Sequence, residues 1–300
     1  MAEPTASDGW LQRYLPQIVV APTFVIMIVF IYGFIVWTTI LSFTNSKMRA
    51  SLVFDGLTPY TKLWANPVWH TALTNLAIFG LLYIGIATVL GLLLAILLDQ
   101  KIRAEGVLRT IYLYPLALSF IVTGTAWKWI LNPGLGIERL VQGLGFDSFK
   151  FDWIVNPKMA IYTVVIAGVW QSTGFVMAMF LAGLRGVDTE IMKAAQIDGA
   201  TTFQTYRRIV IPLMRPVFLS AFIILAHLAI KSFDLVIALT GGGPGSATAL
   251  PATFMYEMTF TRQQIAVGAA SAVIMLMTIA AIMVPYLWSE LRATKGAGHG

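Results

Sequence analysis

Three ionisable side chains lie within one long apolar stretch of this sequence, where a charge is costly. His227, Lys231 and Asp234 are spaced i, i+4 and i+7, which places them on one face of a continuous helix. Residues of this kind inside a bilayer mark ion or substrate pathways, because a charge at the centre costs about 2.5–3.5 kcal/mol on insertion scales. Two interpretations stay open: Lys231 and Asp234 neutralise each other as a pair, or the three side chains line a path.

Further polar and aromatic residues occur in other apolar stretches. They are Asn75, Trp127, Lys128, Trp170 and Gln171. A sugar presents hydroxyl edges and apolar ring faces, which suit amide groups beside indole rings, so these residues form a candidate substrate path together with His227, Lys231 and Asp234. The alternative is a structural role, in which each of these side chains hydrogen-bonds a neighbouring helix. The three histidines are far apart and cysteine is absent, so the pattern predicts no catalytic set and no metal site.

The composition indicates what must position these residues. Hydrophobic residues make up 58% of the 300 residues and charged residues 11%, whereas a soluble domain carries about 25% charged residues. Six apolar runs are long enough to cross a bilayer, at about 18–43, 73–98, 111–131, 160–183, 217–239 and 266–288. We therefore predict an all-α membrane protein with six transmembrane helices.

Basic residues predict the orientation. With the N-terminus inside, the inner segments hold eleven Lys and Arg residues and the outer segments hold eight, so both termini are predicted to be cytoplasmic. The predicted organisation is an N-terminal tail over 1–17, a transmembrane domain over 18–289 and a C-terminal tail over 290–300. Between the fourth and fifth spans lies a polar cytoplasmic loop at about 184–216. In an outer loop, "NPGLGIERLVQGLGF" (132–146) predicts a short helix.

The cytoplasmic loop contains "EIMKAAQIDGATTFQTYRRIVIPLMRP" (190–216) and reads as two short helices. Asp188 is a suitable N-cap for the first helix, and Glu190 in the first turn suits the helix dipole. Gly199 is expected to break this helix, and Thr201 or Thr202 to start the second. Pro212 and Pro216 then set the entry into the fifth span. Without further information, this is a surface helix-turn-helix that lies against its own bundle.

A resemblance favours another interpretation. "KAAQIDGATTFQTYRRIVIPLMRP" resembles the EAA loop of ABC importer permeases, and Ala194, Ala195, Asp198, Gly199 and Ala200 stand in matching places. The stretches "RTIYLYPLALSFIVTGTAWKWILNPGLG" (109–136) and "LTGGGPGSATALPATFMYEMTF" (239–260) resemble the carbohydrate-uptake branch, of the maltose and glycerol-phosphate permease type. The resemblance implies the type I importer fold and makes the loop a coupling helix that docks on a separate ATPase.

One position departs from the family pattern. The motif usually begins with Glu, and this chain has Lys193 there, with Glu190 three residues earlier. The ion pair that this Glu makes in the family therefore does not carry over. An exposed pair is worth only about 0–1 kcal/mol, so docking is expected to survive its loss. The residues expected to couple to the ATPase are Glu190, Lys193, Ala194, Ala195, Asp198, Gly199 and Ala200.

The resemblance implies a permease subunit of an ATP-driven importer in the bacterial inner membrane, which takes up a sugar or sugar derivative. The implied partners are a second homologous permease in a heterodimer, two ATPase subunits and an extracytoplasmic binding protein. No cofactor is expected in this chain, since ATP and Mg²⁺ would bind the ATPase, and no enzymatic activity is expected. The alternatives are a gradient-driven transporter that uses Asp234, His227 and Lys231, and a scaffold or receptor without transport. An inverted repeat, which would favour the gradient-driven class, is not evident.

Overall fold

Helices dominate the computed structural model, which describes residues 8–100 and 102–297. Within these residues four helices are long and apolar enough to cross a membrane, and the number reaches six if each of two bent helix pairs counts as one span. The four are Tyr14–Leu41, Pro67–Asp99, Ala160–Arg185 and Ile265–Tyr286. The described residues therefore bear out the prediction of an all-α membrane protein.

The first and last helices extend beyond their predicted spans. The first consists of Asp8–Met27, a π-helical segment Ile28–Tyr32 and Gly33–Leu41, and the last runs over Ile265–Ala297. Residues 8–17 and 290–297, which were expected in the tails, thus continue the helices. Residues 1–7 and 298–300 lie outside the described part of the chain.

The third span is not the continuous helix predicted over 111–131. It consists of Glu105–Leu113, a 3-10 turn Tyr114–Ala117 and Phe120–Ile130, with a bend of 101° between the halves. Pro115 supplies no N–H for a helical hydrogen bond. Ser119 then starts a new helix, because its side chain accepts a hydrogen bond from the Val122 N–H.

The fifth span is also interrupted, contrary to the prediction of one helix over 217–239. One helix covers Arg215–Ile230, and after three intervening residues a separate helix follows as Asp234–Leu239. Its first residue is an acid, which favours a helix start because the carboxylate lies at the positive end of the helix dipole. The segment that leads into this span, Thr202–Leu213, meets it at 66°.

Shorter helices join these spans. They are Thr58–Trp64, Ile137–Gly143, the 3-10 turn Trp153–Val155, Thr189–Ile197, Thr202–Thr205 with the π-helical Tyr206–Val210, Ile211–Leu213, and Pro251–Tyr256 with the π-helical Glu257–Thr261. The helix Ile137–Gly143 confirms the short outer helix predicted within 132–146.

The main core lies between the second and fourth spans, whose facing sides bury Phe79, Tyr83, Met177 and Phe180. Close approach is possible because Gly91 has no side chain: a Cβ there would lie 2.6 Å from a methyl of Val176. A second cluster joins Leu63, Trp69, Phe254 and Met258, and so ties the short helices to the ends of the second and last spans. This core fixes where the interrupted third and fifth spans can lie.

Candidate functional site

The polar loop at about 184–216 has the two-helix form predicted for it. Asp188 caps the first helix, Thr189–Ile197, because its carboxylate accepts a hydrogen bond from the Glu190 N–H at 2.8 Å. Thr201 and Gln204 start the second helix with a reciprocal pair of hydrogen bonds of 3.3 and 2.9 Å. The capping signals in the sequence thus placed both helix starts correctly.

Gly199 makes the turn between the two helices. Its φ of +79° lies in the left-handed region, and the Ala200 N–H donates to the Ala195 carbonyl at 3.0 Å to close the turn. A Cβ at Gly199 would have no heavy atom within 4 Å. Glycine is therefore favoured by the backbone conformation and not by lack of space.

Two large apolar side chains on either side of this turn are exposed. Ile197 is 86% exposed and Phe203 is 71% exposed, whereas Ala195 is 5% exposed. In the second helical segment, Val210 is buried whereas Phe203 is exposed. Glu190 and Lys193 are exposed as well. The loop therefore presents an apolar knob with charged edges, which suits docking to another protein.

An ion-pair cluster connects the ends of the neighbouring spans to the loop. The guanidinium of Arg185, at the end of the fourth span, lies 2.7 Å from the Glu105 carboxylate and 3.7 Å from the Asp99 carboxylate. Asp99 in turn lies beside the Tyr206 hydroxyl of the loop. Sequence reasoning did not single out this cluster, although its signal was present as opposite charges at the inner ends of three predicted spans.

The structure changes the interpretation of His227, Lys231 and Asp234. The helix that holds His227 ends at Ile230, and Asp234 opens the next helix, so the three side chains do not share one helix face. All three are exposed on the surface of this chain. Among the described residues no ion pair joins Lys231 to Asp234. Self-neutralisation by this pair is therefore wrong.

Gln171 supports the break in the third span. Its side chain is buried, and its Nε2 donates to the Leu118 carbonyl at 2.8 Å, which satisfies a backbone group that the break leaves without a helical partner. Among the described residues, neither its Oε1 nor the buried Oγ1 of Thr123 has a hydrogen-bond partner. Next to this break, the rings of Trp127 and Trp170 meet edge to face at 5.9 Å.

Asn75 and Lys128 lie at the glycine-rich segment that follows the fifth span. The buried Asn75 amide donates to the carbonyls of Ala247 and Ala249 at 2.9 and 3.0 Å, so its amide group holds this segment in place. Lys128 is exposed and lines a recess of about 290 Å³ together with Asn132, Thr240 and Pro244.

The residues predicted to line a substrate path lie in different parts of the structure: two groups are each clustered, and three residues belong to neither group. Gln171, Trp127 and Trp170 surround the broken third span, and Asn75 and Lys128 lie at the glycine-rich segment. His227, Lys231 and Asp234 belong to neither group and lie exposed on the surface.

The amino-acid sequence is similar to those of known transport proteins. Residues 87–292 match the family described as binding-protein-dependent transport system inner membrane component. A probable ABC transporter permease of Pyrococcus horikoshii is 42% identical over 92% of this chain and 96% of its own length. The xylose/arabinose import permease of Haloferax volcanii is 34% identical over 90% of this chain and 86% of its own length.

The fold has a solved counterpart as well. A chain of a bacterial ABC transporter involved in the import of the acidic polysaccharide alginate superposes with a TM-score of 0.79, at 17% identity, over 95% of this chain and 97% of that one. At this identity the likeness concerns the fold, while the family match and the sequence relatives concern descent. The chain belongs to the family of binding-protein-dependent transport system inner membrane components, the permeases of ABC importers.

Proposed function

We propose that this permease passes a sugar or sugar derivative across the cytoplasmic membrane, in an importer that separate ATPase chains drive. The observation that carries the proposal is the exposed loop around Gly199, with Ile197 and Phe203 presented to solvent. Because both helices of the loop are formed in this chain alone, Ile197 and Phe203 present an apolar surface on which an ATPase can dock. The ion pairs of Arg185 join this loop to the inner ends of the second and third spans, so movement of the loop would reach the membrane.

The sugar class is supported by the relatives. One imports xylose and arabinose by name, and a permease of the trehalose/maltose transport system of Thermococcus litoralis is 30% identical over 78% of this chain. Within this chain, the Trp127 and Trp170 rings beside a buried amide oxygen of Gln171 suit a ring with apolar faces and hydroxyl edges. We propose these three residues as the substrate-contacting part of the path.

The proposed partners are a second permease, two ATPase chains and an extracytoplasmic binding protein, with both termini cytoplasmic. A second membrane subunit is supported by the first span, whose most apolar window buries none of its residues in this chain. The relatives named above are archaeal, so the proposed location is the cytoplasmic membrane of a prokaryote and not of a bacterium in particular. A gradient-driven transporter is disfavoured, since the family couples transport to binding proteins.

Cysteine crosslinking tests the docking of the loop. We would place single cysteines at the exposed Ala194 and at Ala200, since Ala195 is buried and would react poorly. Both should crosslink to a co-purified ATPase, and a cysteine at the outer-loop residue Lys158 should not. Crosslinks that form only within the permease would contradict ATPase docking at this loop.

Substrate-stimulated ATP hydrolysis tests the transport reaction. The complex is reconstituted with its binding protein and supplied with candidate sugars. Hydrolysis that rises with one sugar, together with uptake of that sugar, supports the proposal. Uptake that follows a proton gradient without ATP would overturn it.

A further inference from the structure

A polar crevice lies where the first membrane span ends and the last begins, away from the loop and the path described above. It has a volume of about 510 Å³. One wall is the segment that follows the first span, and the other is the turn that precedes the last span. Its polar lining includes Asn45, Lys47, Asp55, Lys62, Arg262 and Gln263.

The charge of the crevice is positive. Three of its lining residues are cations and one is a carboxylate, Asp55. Arg262 is paired with Glu257 at 2.8 Å, whereas Lys47 and Lys62 have no carboxylate within ion-pair distance among the described residues. Two lysines whose charge is not neutralised by a neighbour face a cavity large enough for a small anionic group.

The walls of the crevice are fixed by the backbone. The Ala266 N–H donates to the Ser46 carbonyl at 2.9 Å and so joins the two walls directly. Gln263 has a φ of +53°, a left-handed conformation that a residue with a side chain rarely adopts and that the surrounding structure must hold in place. The first turn of the last helix adds the positive end of its dipole to the same side. The crevice is thus shaped before any ligand binds.

The position of the crevice along the membrane normal indicates which kind of ligand it can bind. The first span ends at Leu41 and the last begins at Ile265, so the crevice lies at the level of lipid headgroups. Beside it, Met48, Leu52 and Phe54 expose apolar side chains, as residues that enter the interfacial region of a bilayer do. We propose that the crevice binds the phosphate group of an anionic phospholipid through Lys47 and Lys62. This inference does not depend on the identity of the transported substrate.

Lipid selectivity tests the proposal. The purified complex is exchanged into nanodiscs with equal amounts of phosphatidylglycerol and phosphatidylcholine, and the lipid retained after detergent extraction is measured by mass spectrometry. The wild-type protein should retain phosphatidylglycerol in excess. Each lysine near a lipid phosphate contributes about a fivefold preference, so the double variant Lys47→Gln/Lys62→Gln should lose about tenfold or more of this selectivity. The matched control is Lys150→Gln/Lys158→Gln, which removes two exposed lysines elsewhere and should keep the selectivity.

Four outcomes would overturn the proposal. The first is equal selectivity in the wild type and the Lys47/Lys62 variant, and the second is an equal loss in the control. The third is release of the retained lipid by millimolar inorganic phosphate or glycerol phosphate, which would make the crevice a site for free anions. Loss of binding-protein affinity with unchanged lipid selectivity would assign the crevice to protein docking and would also contradict a lipid site. Size-exclusion profiles confirm that both double variants remain folded.

Discussion

Lys193 occupies the position where the coupling motif usually has an acid, and it lies exposed on the loop without an ion-pair partner among the described residues. An ATPase adapted to this permease is expected to offer an acid there. Because surface pairs are worth at most about 1 kcal/mol, Lys193 tunes docking and does not determine it. The apolar Ile197 and Phe203 are expected to contribute more.

Lys193→Glu should therefore weaken the coupling of ATP hydrolysis to uptake by about two- to fivefold at low salt, since a like-charge contact is worth about as much as the pair it replaces. The defect should fade as ionic strength rises, because salt screens exposed charges. Lys193→Gln, which removes the charge without reversing it, should have a smaller defect. The same coupling in Lys193→Glu and wild type at all salt concentrations would show that Lys193 faces only solvent.

Lys231 and Asp234 allow a second prediction at this scale. Both are exposed and have no ion-pair partner among the described residues, so Lys231→Gln and Asp234→Asn should each leave the stability of the chain within about 0.5 kcal/mol of wild type. Their effects should add in the double variant, since no direct interaction couples them. Uptake should fall several-fold in each single variant, because charges at this depth are expected to face a partner subunit or the path and not lipid. Thermal unfolding measures the effect on stability, and uptake assays measure the effect on transport. If each single variant lost stability and the double variant regained it, Lys231 and Asp234 would have to form an ion pair, and the prediction would be contradicted.

At the scale of elements, the capping signals were the most informative part of the sequence. Asp188, Thr201 and Gly199 predicted the two helices of the polar loop because each signal is local: a side-chain oxygen or an absent Cβ decides the backbone of its own turn. The interruptions in the third and fifth spans were not predicted, since apolar runs of sufficient length look continuous. A helix break in the bilayer is stable when another side chain hydrogen-bonds the backbone groups that the break leaves free, as Gln171 of the fourth span does for the Leu118 carbonyl. Hydropathy does not reveal such a contact between spans.

The turn at Gly199 allows a test of the proposed coupling role of this loop. Gly199→Val should reduce uptake by about tenfold or more while ATP hydrolysis continues, because a β-branched residue at φ of +79° costs about 1–3 kcal/mol and shifts the second helix relative to the first. A matched control is Gly134→Val, where φ is +74° and a Cβ would likewise have no neighbour within 4 Å. It applies the same backbone strain at the outer loop and should leave coupling intact. Equal defects in the two variants would show that strain alone, and not this turn, is responsible.

At the scale of the whole molecule, the membrane spans of this chain are buried to very different extents. The fourth span buries 67% of its most apolar window inside the chain, whereas the first span buries none. The end of the first helix near Leu41 contacts the last span, and the residues before it are exposed in this chain. An apolar helix in lipid gains little by burial alone, so we expect this exposed surface to pack closely against another subunit.

The last prediction concerns this helix. A cysteine at Val29, in its exposed middle part, should crosslink to a second permease subunit in the assembled importer and should form no crosslink within its own chain. A cysteine at Ala87, buried between the second and fourth spans, should remain unreactive and serves as the control. The same helix predicts that the chain purified alone is less stable than the complex, since the surface around Val29 loses its partner. Absence of an intersubunit crosslink at Val29 and at its exposed neighbours Val25 and Phe30 would show that the first span faces lipid, and the second permease would then have to contact the bundle through the surface of His227, Lys231 and Asp234.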